Sequence, residues 1–111
     1  MLKKSDLIKY FENGIKNTSE IKIGTEHEKF IYHKSDLSLV PYSGDVSINS
    51  IFEDFIQDGW RPVIENENII ALNKDRASIT LEPGGQFELS GAPLNTIHDT
   101  CKEINLSLIH I

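Results

Sequence analysis

The sequence predicts an α+β domain in which an antiparallel β-sheet carries helices packed on one of its faces. Segments with strand-like alternation are joined by short links, which favours antiparallel pairing because parallel strands need long crossovers. Segments with apolar residues at helical spacing stand at the start, near the middle and at the end of the chain. The predicted order is helix, two strands, helix, four strands, helix.

The first two helices are predicted from apolar residues that recur every three or four positions. Ser5 is a suitable N-cap for the first helix, and the Asn-Gly pair at 13–14 helps to end it. Either Asp45 or Ser47 can cap the second helix, which Gly59 terminates. Both segments therefore have a start signal, an apolar stripe and a stop signal.

The third helix is predicted to begin at a cap formed by Asn95. One face of this helix is apolar and consists of Ile97, Cys101, Ile104 and Leu108. Because Cys101 lies on that face, its thiol is expected to be buried and structural. The pattern runs on to Ile111 without a C-terminal cap, which predicts that the sequence is a fragment of a longer protein.

Six strands are predicted from β-branched and aromatic residues in alternating positions. They lie at residues 21–32, 37–42, 61–65, 69–73, 77–81 and 86–90. Pro41 marks the second strand as an edge or an end, since proline cannot donate to a neighbouring strand. A turn is expected at 66–68 because asparagine tolerates left-handed backbone angles.

The composition excludes several classes of partner. The chain has 111 residues, a net charge of −6 and one cysteine. It has no basic surplus with which to bind nucleic acid or an anionic membrane, and no intrachain disulfide or cysteine zinc cluster can form. No signal peptide or membrane span is recognisable, so the cytoplasm is the expected location, with a plastid as the alternative if a transit segment is missing.

The predicted strands carry acids on one face, because side chains alternate between the two faces of a strand. Glu26 and Glu28 share a face of the first strand. If the Pro-Gly-Gly break at 83–85 preserves the register, the last two predicted strands share a face that carries Thr80, Glu82, Gln86, Glu88 and Ser90. The opposite face then carries Ile79, Leu81, Phe87 and Leu89, and it packs against the helices.

An acidic face of this kind permits two interpretations. Like charges about 6 Å apart repel by roughly 3 kcal/mol at an effective dielectric near 20, so clustered carboxylates need a cation, and oxygen ligands suit Mg²⁺ or Mn²⁺. Acid pairs are also common on solvated sheets, where Lys22, Lys29 or Arg76 would pair with them. Spacing alone favours the solvated sheet, and it favours a turn or bulge for the two glycines.

Two motifs resemble glutamate–cysteine ligase of the type found in plants and many bacteria. They are "IGTEHEKF" and "SITLEPGGQFELSGAPLNTIHDTC", with "GW" between them, and the resemblance covers residues 21–105. It implies a glutamine-synthetase-like catalytic fold, in which an antiparallel sheet forms a curved basin over the active site. It also implies that residues 1–111 are the N-terminal portion of a larger catalytic domain.

The resemblance implies the first step of glutathione synthesis. ATP would phosphorylate the γ-carboxylate of glutamate, and the amine of cysteine would then attack to give γ-glutamylcysteine. The small-molecule partners would be glutamate, cysteine and ATP. Basic residues for glutamate and much of the nucleotide pocket would lie beyond Ile111, so the chain alone is expected to be inactive. The alternative is a non-catalytic α+β module that binds a cation or a carboxylate.

The resemblance also assigns roles to the acids, as catalytic residues and as metal ligands. Glu26 and Glu28 would bind Mg²⁺ and, through it, the ATP phosphates. Glu88 would be a further metal ligand, and Glu82 would be a ligand or would orient one. Gln86 would hold substrate or a metal-bound water, as a cofactor-binding residue.

Overall fold

The computed structural model describes the backbone of residues 1–110 and the side chains of residues 1–105. In this part of the chain three α-helices accompany a five-stranded sheet. The elements are α1 (Lys4–Asn13), β1 (Glu26–Lys29), α2 (Ile48–Gln57), β2 (Arg61–Glu65), β3 (Asn68–Lys74), β4 (Ala77–Leu81), β5 (Phe87–Ser90) and α3 (Ile97–His110). A single 3₁₀ turn, Thr18–Glu20, lies between α1 and β1.

The strands form one antiparallel sheet in the order β1-β5-β4-β3-β2. Strands β2 to β5 follow one another as a meander of hairpins, as their short links predict. Strand β1 comes from much earlier in the chain and pairs with the last strand, β5. The predicted α+β class with an antiparallel sheet is confirmed.

The core lies between α2 and the apolar face of the sheet. Its buried apolar residues are Ile48, Phe52, Leu72, Ile79, Phe87 and Leu89. The rings of Phe52 and Phe87 lie with their centroids 5.1 Å apart, which joins the helix to β5. Ser47 is the N-cap of α2, since its side chain accepts a hydrogen bond from the Ser50 amide. Burying each large side chain contributes about 1.5–3 kcal/mol to the free energy of folding, so the packing of α2 stabilises the sheet.

The loop between β4 and β5 preserves the alternation of faces across the Pro-Gly-Gly break. The Gly85 amide donates to the Glu82 carbonyl at 2.8 Å, and the Glu82 amide donates to the Gln86 carbonyl at 2.8 Å. Gly85 has a φ of 81°, a left-handed angle that glycine adopts without strain. This is a three-residue hairpin loop with a glycine bulge. The predicted register is confirmed, because Ile79 pairs with Leu89.

Residues 37–42 do not form the predicted second strand. Leu39 makes an isolated bridge to Tyr32, and the first predicted strand is itself reduced to Glu26–Lys29. The chain turns sharply before Leu39, because the Ser38 amide and hydroxyl both donate to Asp36 and Leu37 adopts a φ of 59°. The hydrogen bond from the Ser38 amide, followed by that from its hydroxyl, lowers the pKa of Asp36.

The start of α3 differs from the prediction by one residue. Thr96 caps the helix, since its Oγ1 accepts from the Asp99 amide at 3.2 Å and donates to Asp99 Oδ2 at 2.7 Å. The hydrogen bond from Thr96 is the main cause that lowers the pKa of Asp99. Asn95, the predicted cap, instead accepts a hydrogen bond from the Lys22 ammonium.

The predicted buried face of α3 is wrong at Ile97 and Cys101, whereas Ile104 on the same face is half-buried. Cys101 is exposed and Ile97 is 64% exposed, whereas Thr100 is only 5% exposed. The helix is turned so that Glu103, one turn after Thr100, reaches inward and accepts hydrogen bonds from Thr25 and Ala92, which lie side by side next to the paired strands β1 and β5. The side chain of Leu108, also predicted for this face, lies outside the described residues.

The hairpin between β2 and β3 supplies a test of local strain. Asn66 and Glu67 have φ values of 47° and 67°, the pair of left-handed angles that a type I′ turn requires. Glu67→Gly is expected to raise the free energy of unfolding by about 0.5–1 kcal/mol, because relief of the left-handed conformation outweighs the added freedom of the unfolded chain. Glu67→Ala, which keeps a Cβ, is the control in urea unfolding. Equal effects of the two substitutions would contradict this account of the turn.

Candidate active site

The register of the sheet places two rows of side chains across its second, polar face. Cross-strand partners lie on the same face, so each row follows directly from the pairing. The first row is Arg61, Asn73, Ser78, Ser90 and Glu26. The second row is Val63, Ala71, Thr80, Glu88 and Glu28. Acids therefore occupy the β1–β5 side of this face.

Glu28 and Glu88 are direct cross-strand partners. Residues in this relation have Cβ atoms about 4.5–5.5 Å apart, so their carboxylates share one small region of the surface. Glu26 lies on the same face two residues away, opposite Ser90. The structure thus brings "GTEHE" and "QFELS", which are 58 positions or more apart in the printed sequence (from Glu28 to Gln86), to one place.

Hydroxyl groups orient two of the acids. Ser90 Oγ donates to Glu88 Oε1 at 2.8 Å, and Thr80 Oγ1 donates to Glu82 Oε1 at 3.0 Å. All four residues are half-buried. Each hydroxyl lies two positions from its acid and on the same face, so the alternation of the strand creates both pairs. Sequence reasoning placed Thr80 and Ser90 on this face but gave them no role.

Glu82 and Gln86 flank the three-residue loop of the β4–β5 hairpin. The Gln86 amide folds back over Gly84, and its Oε1 lies only 2.2 Å from where a Cβ on that glycine would stand. This Oε1 is buried and has no hydrogen-bond partner among the described residues. A buried acceptor without a partner costs about 1–3 kcal/mol, which a donor from a ligand would offset.

The donor set is compatible with Mg²⁺. Mg²⁺ commonly takes one or two protein carboxylates and completes its octahedral coordination with water and substrate phosphates. Glu28 and Glu88 face each other with oxygen ligands of this type. Within the described residues, no group of three or more His, Cys, Asp or Glu side chains is placed to hold a metal ion by itself. The fit is therefore to a site of two carboxylates that a substrate completes.

Two of the cations that a solvated sheet would use, Lys22 and Arg76, are placed elsewhere. Lys102 forms an ion pair with Asp99 on α3. Lys22 donates to Asn95, and Arg76 lines a cavity at the opposite end of the sheet. Lys29 is on the other face, where it pairs in register with Phe87.

Glu103 is a residue that sequence reasoning missed. Its Oε2 accepts from Thr25 Oγ1 at 3.0 Å, and its Oε1 accepts from the Ala92 amide at 2.8 Å. The Gly91 amide also donates to the Thr25 carbonyl at 2.7 Å, which joins the same two segments through their backbones. Glu103 thus ties the residue before Glu26 to the segment that follows β5. No local pattern reveals it, because Thr25 lies 78 positions away.

The proteins that this chain resembles are ligases, and they belong to one family. The model of glutamate-cysteine ligase family 2 matches residues 22–108. The chain is similar to chloroplastic glutamate–cysteine ligases, with 46% identity over 111 residues to that of Nicotiana tabacum and 47% over 112 residues to that of Medicago truncatula. The chain belongs to glutamate–cysteine ligase family 2.

The matches cover nearly all of this chain and a small part of each relative. The two alignments include 99% of the chain and 21% of each relative, so the chain spans about a fifth of the length of these proteins. The ligase of Arabidopsis thaliana gives the same coverage at 45% identity. Within the described residues, no helix combines the length and the hydropathy needed to cross a membrane.

Proposed function

We propose that the parent protein, a chain that contains these residues and continues to the length of its relatives, joins the γ-carboxylate of glutamate to the amine of cysteine at the expense of ATP. This is γ-glutamylcysteine synthesis, the first step of glutathione formation. The observation that carries the proposal is the direct pairing of Glu28 with Glu88, which unites both family motifs on one face. Membership of the family supports it.

Residues of this chain would hold the metal and orient its ligands. Glu28 and Glu88 would bind Mg²⁺, with Glu26 beside them and Glu82 as a further ligand or an orienting group. When bound, Mg²⁺ would neutralise phosphate oxygens and hold them in line for transfer. Ser90 and Thr80 restrict the rotamers of Glu88 and Glu82, so these carboxylates lose less entropy on binding. Gln86 Oε1 would accept a hydrogen bond from a substrate amine or a water.

We further propose that residues 1–111 are the N-terminal portion of a larger catalytic domain with a glutamine-synthetase-like fold. Every residue of α1 is exposed, including Leu7, Tyr10 and Phe11 on its apolar stripe. The radius of gyration is 17.9 Å, against about 13 Å for a compact chain of this length. Apolar surface is thus left for the remainder of the protein to cover, and these residues alone are expected to make no product.

For the compartment, the cytoplasm is our proposal and a plastid is the alternative. The single cysteine fits a reducing compartment. The relatives bear names that place those proteins in chloroplasts. Immunolocalisation of the parent protein distinguishes the two compartments.

The proposed activity is tested by incubating the parent protein with ATP, glutamate and cysteine and measuring γ-glutamylcysteine and ADP. Both products are expected to appear in equal amounts, and only when Mg²⁺ or Mn²⁺ is present. Omitting cysteine is the control, and replacing it with glycine or α-aminobutyrate tests the acceptor. ADP without γ-glutamylcysteine, or neither product, would refute the ligation. Binding of Mg²⁺ without any turnover would favour the non-catalytic cation-binding module.

A further inference from the structure

A second feature of the polar face lies at the end opposite the acids. A cavity of about 440 Å³ opens there, where β2 begins and the hairpin joins β3 to β4. Its polar lining comes from Arg61, Asn73, Asp75, Arg76 and Ser78. The volume falls within the range of about 300–1,000 Å³ that is usual for small-molecule sites.

The lining consists mainly of hydrogen-bond donors. Arg61 and Arg76 each present five N–H groups, and the Asn73 amide and the Ser78 hydroxyl can also donate. Asp75 is the only acid in the lining. Neither guanidinium takes part in an ion pair with any side chain that the structure describes. In a chain whose net charge is −6, two arginines on one cavity are a local reversal of sign.

We propose that this cavity binds the oxyanion group of a small molecule, a phosphate or a carboxylate. The arginine fork matches both groups, because it can donate two parallel hydrogen bonds to a pair of oxygens. Asn73 and Ser78 lie in the same cross-strand row as Arg61, so their polar groups stand beside the guanidinium on one face. The volume of the cavity and the small number of cations fit a small molecule and not a nucleic acid.

The position of the cavity relates it to the acids. Arg61 and Glu26 are the two ends of one row that crosses all five strands. Four strand spacings of about 4.8 Å separate their backbones by about 19 Å. The face therefore has a basic end and an acidic end. The proposed binding site is inferred from the residues that line the cavity. It does not depend on the proposed ligase activity.

The test is calorimetric titration of the parent protein and of its Arg61→Gln and Arg76→Gln variants. Inorganic pyrophosphate is the probe for phosphate chemistry, and L-glutamate is the probe for carboxylate chemistry. Both variants are expected to weaken the binding of the same probe, each by about tenfold, since a charge-assisted hydrogen bond is lost. Weakening of pyrophosphate assigns the cavity to a phosphate, and weakening of glutamate assigns it to a carboxylate.

Lys9→Gln is the matched control, because it removes one exposed positive charge on α1, away from the cavity. Both arginines are exposed, so neither substitution is expected to change the thermal midpoint. Unchanged affinity for both probes in both arginine variants would overturn the proposal, and so would equal weakening in the lysine control. A parent protein that binds as expected but forms no γ-glutamylcysteine would contradict only the proposed ligation.

Discussion

Glu88→Gln in the parent protein is expected to lower kcat/KM for γ-glutamylcysteine formation by about 100- to 1,000-fold. The substitution removes a charged oxygen ligand where phosphate charge must be neutralised, which is worth several kcal/mol of barrier. Glutamine has nearly the same shape and can still accept the hydrogen bond that Ser90 donates. The loss would therefore report the charge of the side chain and not its packing.

The same substitution is expected to stabilise the metal-free protein. Glu88 lies directly opposite Glu28, and like charges in that relation destabilise a sheet by a few tenths of a kcal/mol. Glu65→Gln is the control, because it makes the same change at an exposed position of β2, away from both acids. Equal kcat/KM for Glu88→Gln, Glu65→Gln and the unmodified protein would show that the acids are only the solvated face of the sheet and have no part in catalysis.

Gly91→Ala is expected to lower the free energy of unfolding by about 2–3 kcal/mol. A Cβ at this position would stand 2.0 Å from Glu103 Oε2 and 2.8 Å from Thr25 Oγ1. Glu103 would have to move, which breaks its hydrogen bonds to Thr25 and to the Ala92 amide. The cost is that of two lost hydrogen bonds and of crowding in a packed contact.

A double-mutant cycle separates this clash from a general effect of alanine. In a Glu103→Ala background the carboxylate is gone, so adding Gly91→Ala is expected to cost less than about 1 kcal/mol. Gly24→Ala is the control, since a Cβ there meets nothing within 4 Å and its φ is not left-handed. Urea unfolding measures all of these variants. Additive effects of the two substitutions would contradict the contact between Gly91 and Glu103.

The alternation of side chains predicted much of the candidate site. The alternation assigns Glu26 and Glu28 to one face of the first strand, and Glu82, Gln86 and Glu88 to one face of the last two strands, because the period of a strand is a local property. The three-residue loop with Gly85 at its end kept that alternation across the break. Which residue stands opposite which is not a local property. The pairing of Glu28 with Glu88 depends on the register between two distant strands, and the sequence contains no signal for it.

The errors have a similar origin. Residues 37–42 have the composition of a strand, but Leu39 finds only a single bridge to Tyr32 because the turn at Asp36 redirects the chain. Cys101 was expected on the buried face of α3, yet the contacts of Glu103 with distant residues determine how that helix is rotated. A strand needs a partner and a helix face needs a neighbour. Both depend on residues far away in the sequence.

The most direct test of the central claim is Mn²⁺ binding to the parent protein, followed by electron paramagnetic resonance. Mn²⁺ accepts the same oxygen ligands as Mg²⁺ and gives a measurable signal when it is free. We expect Glu28→Gln and Glu88→Gln together to weaken Mn²⁺ binding at least tenfold, and Glu65→Gln to leave it unchanged. Unaltered Mn²⁺ affinity in the Glu28→Gln/Glu88→Gln variant would contradict a metal site on this face of the sheet.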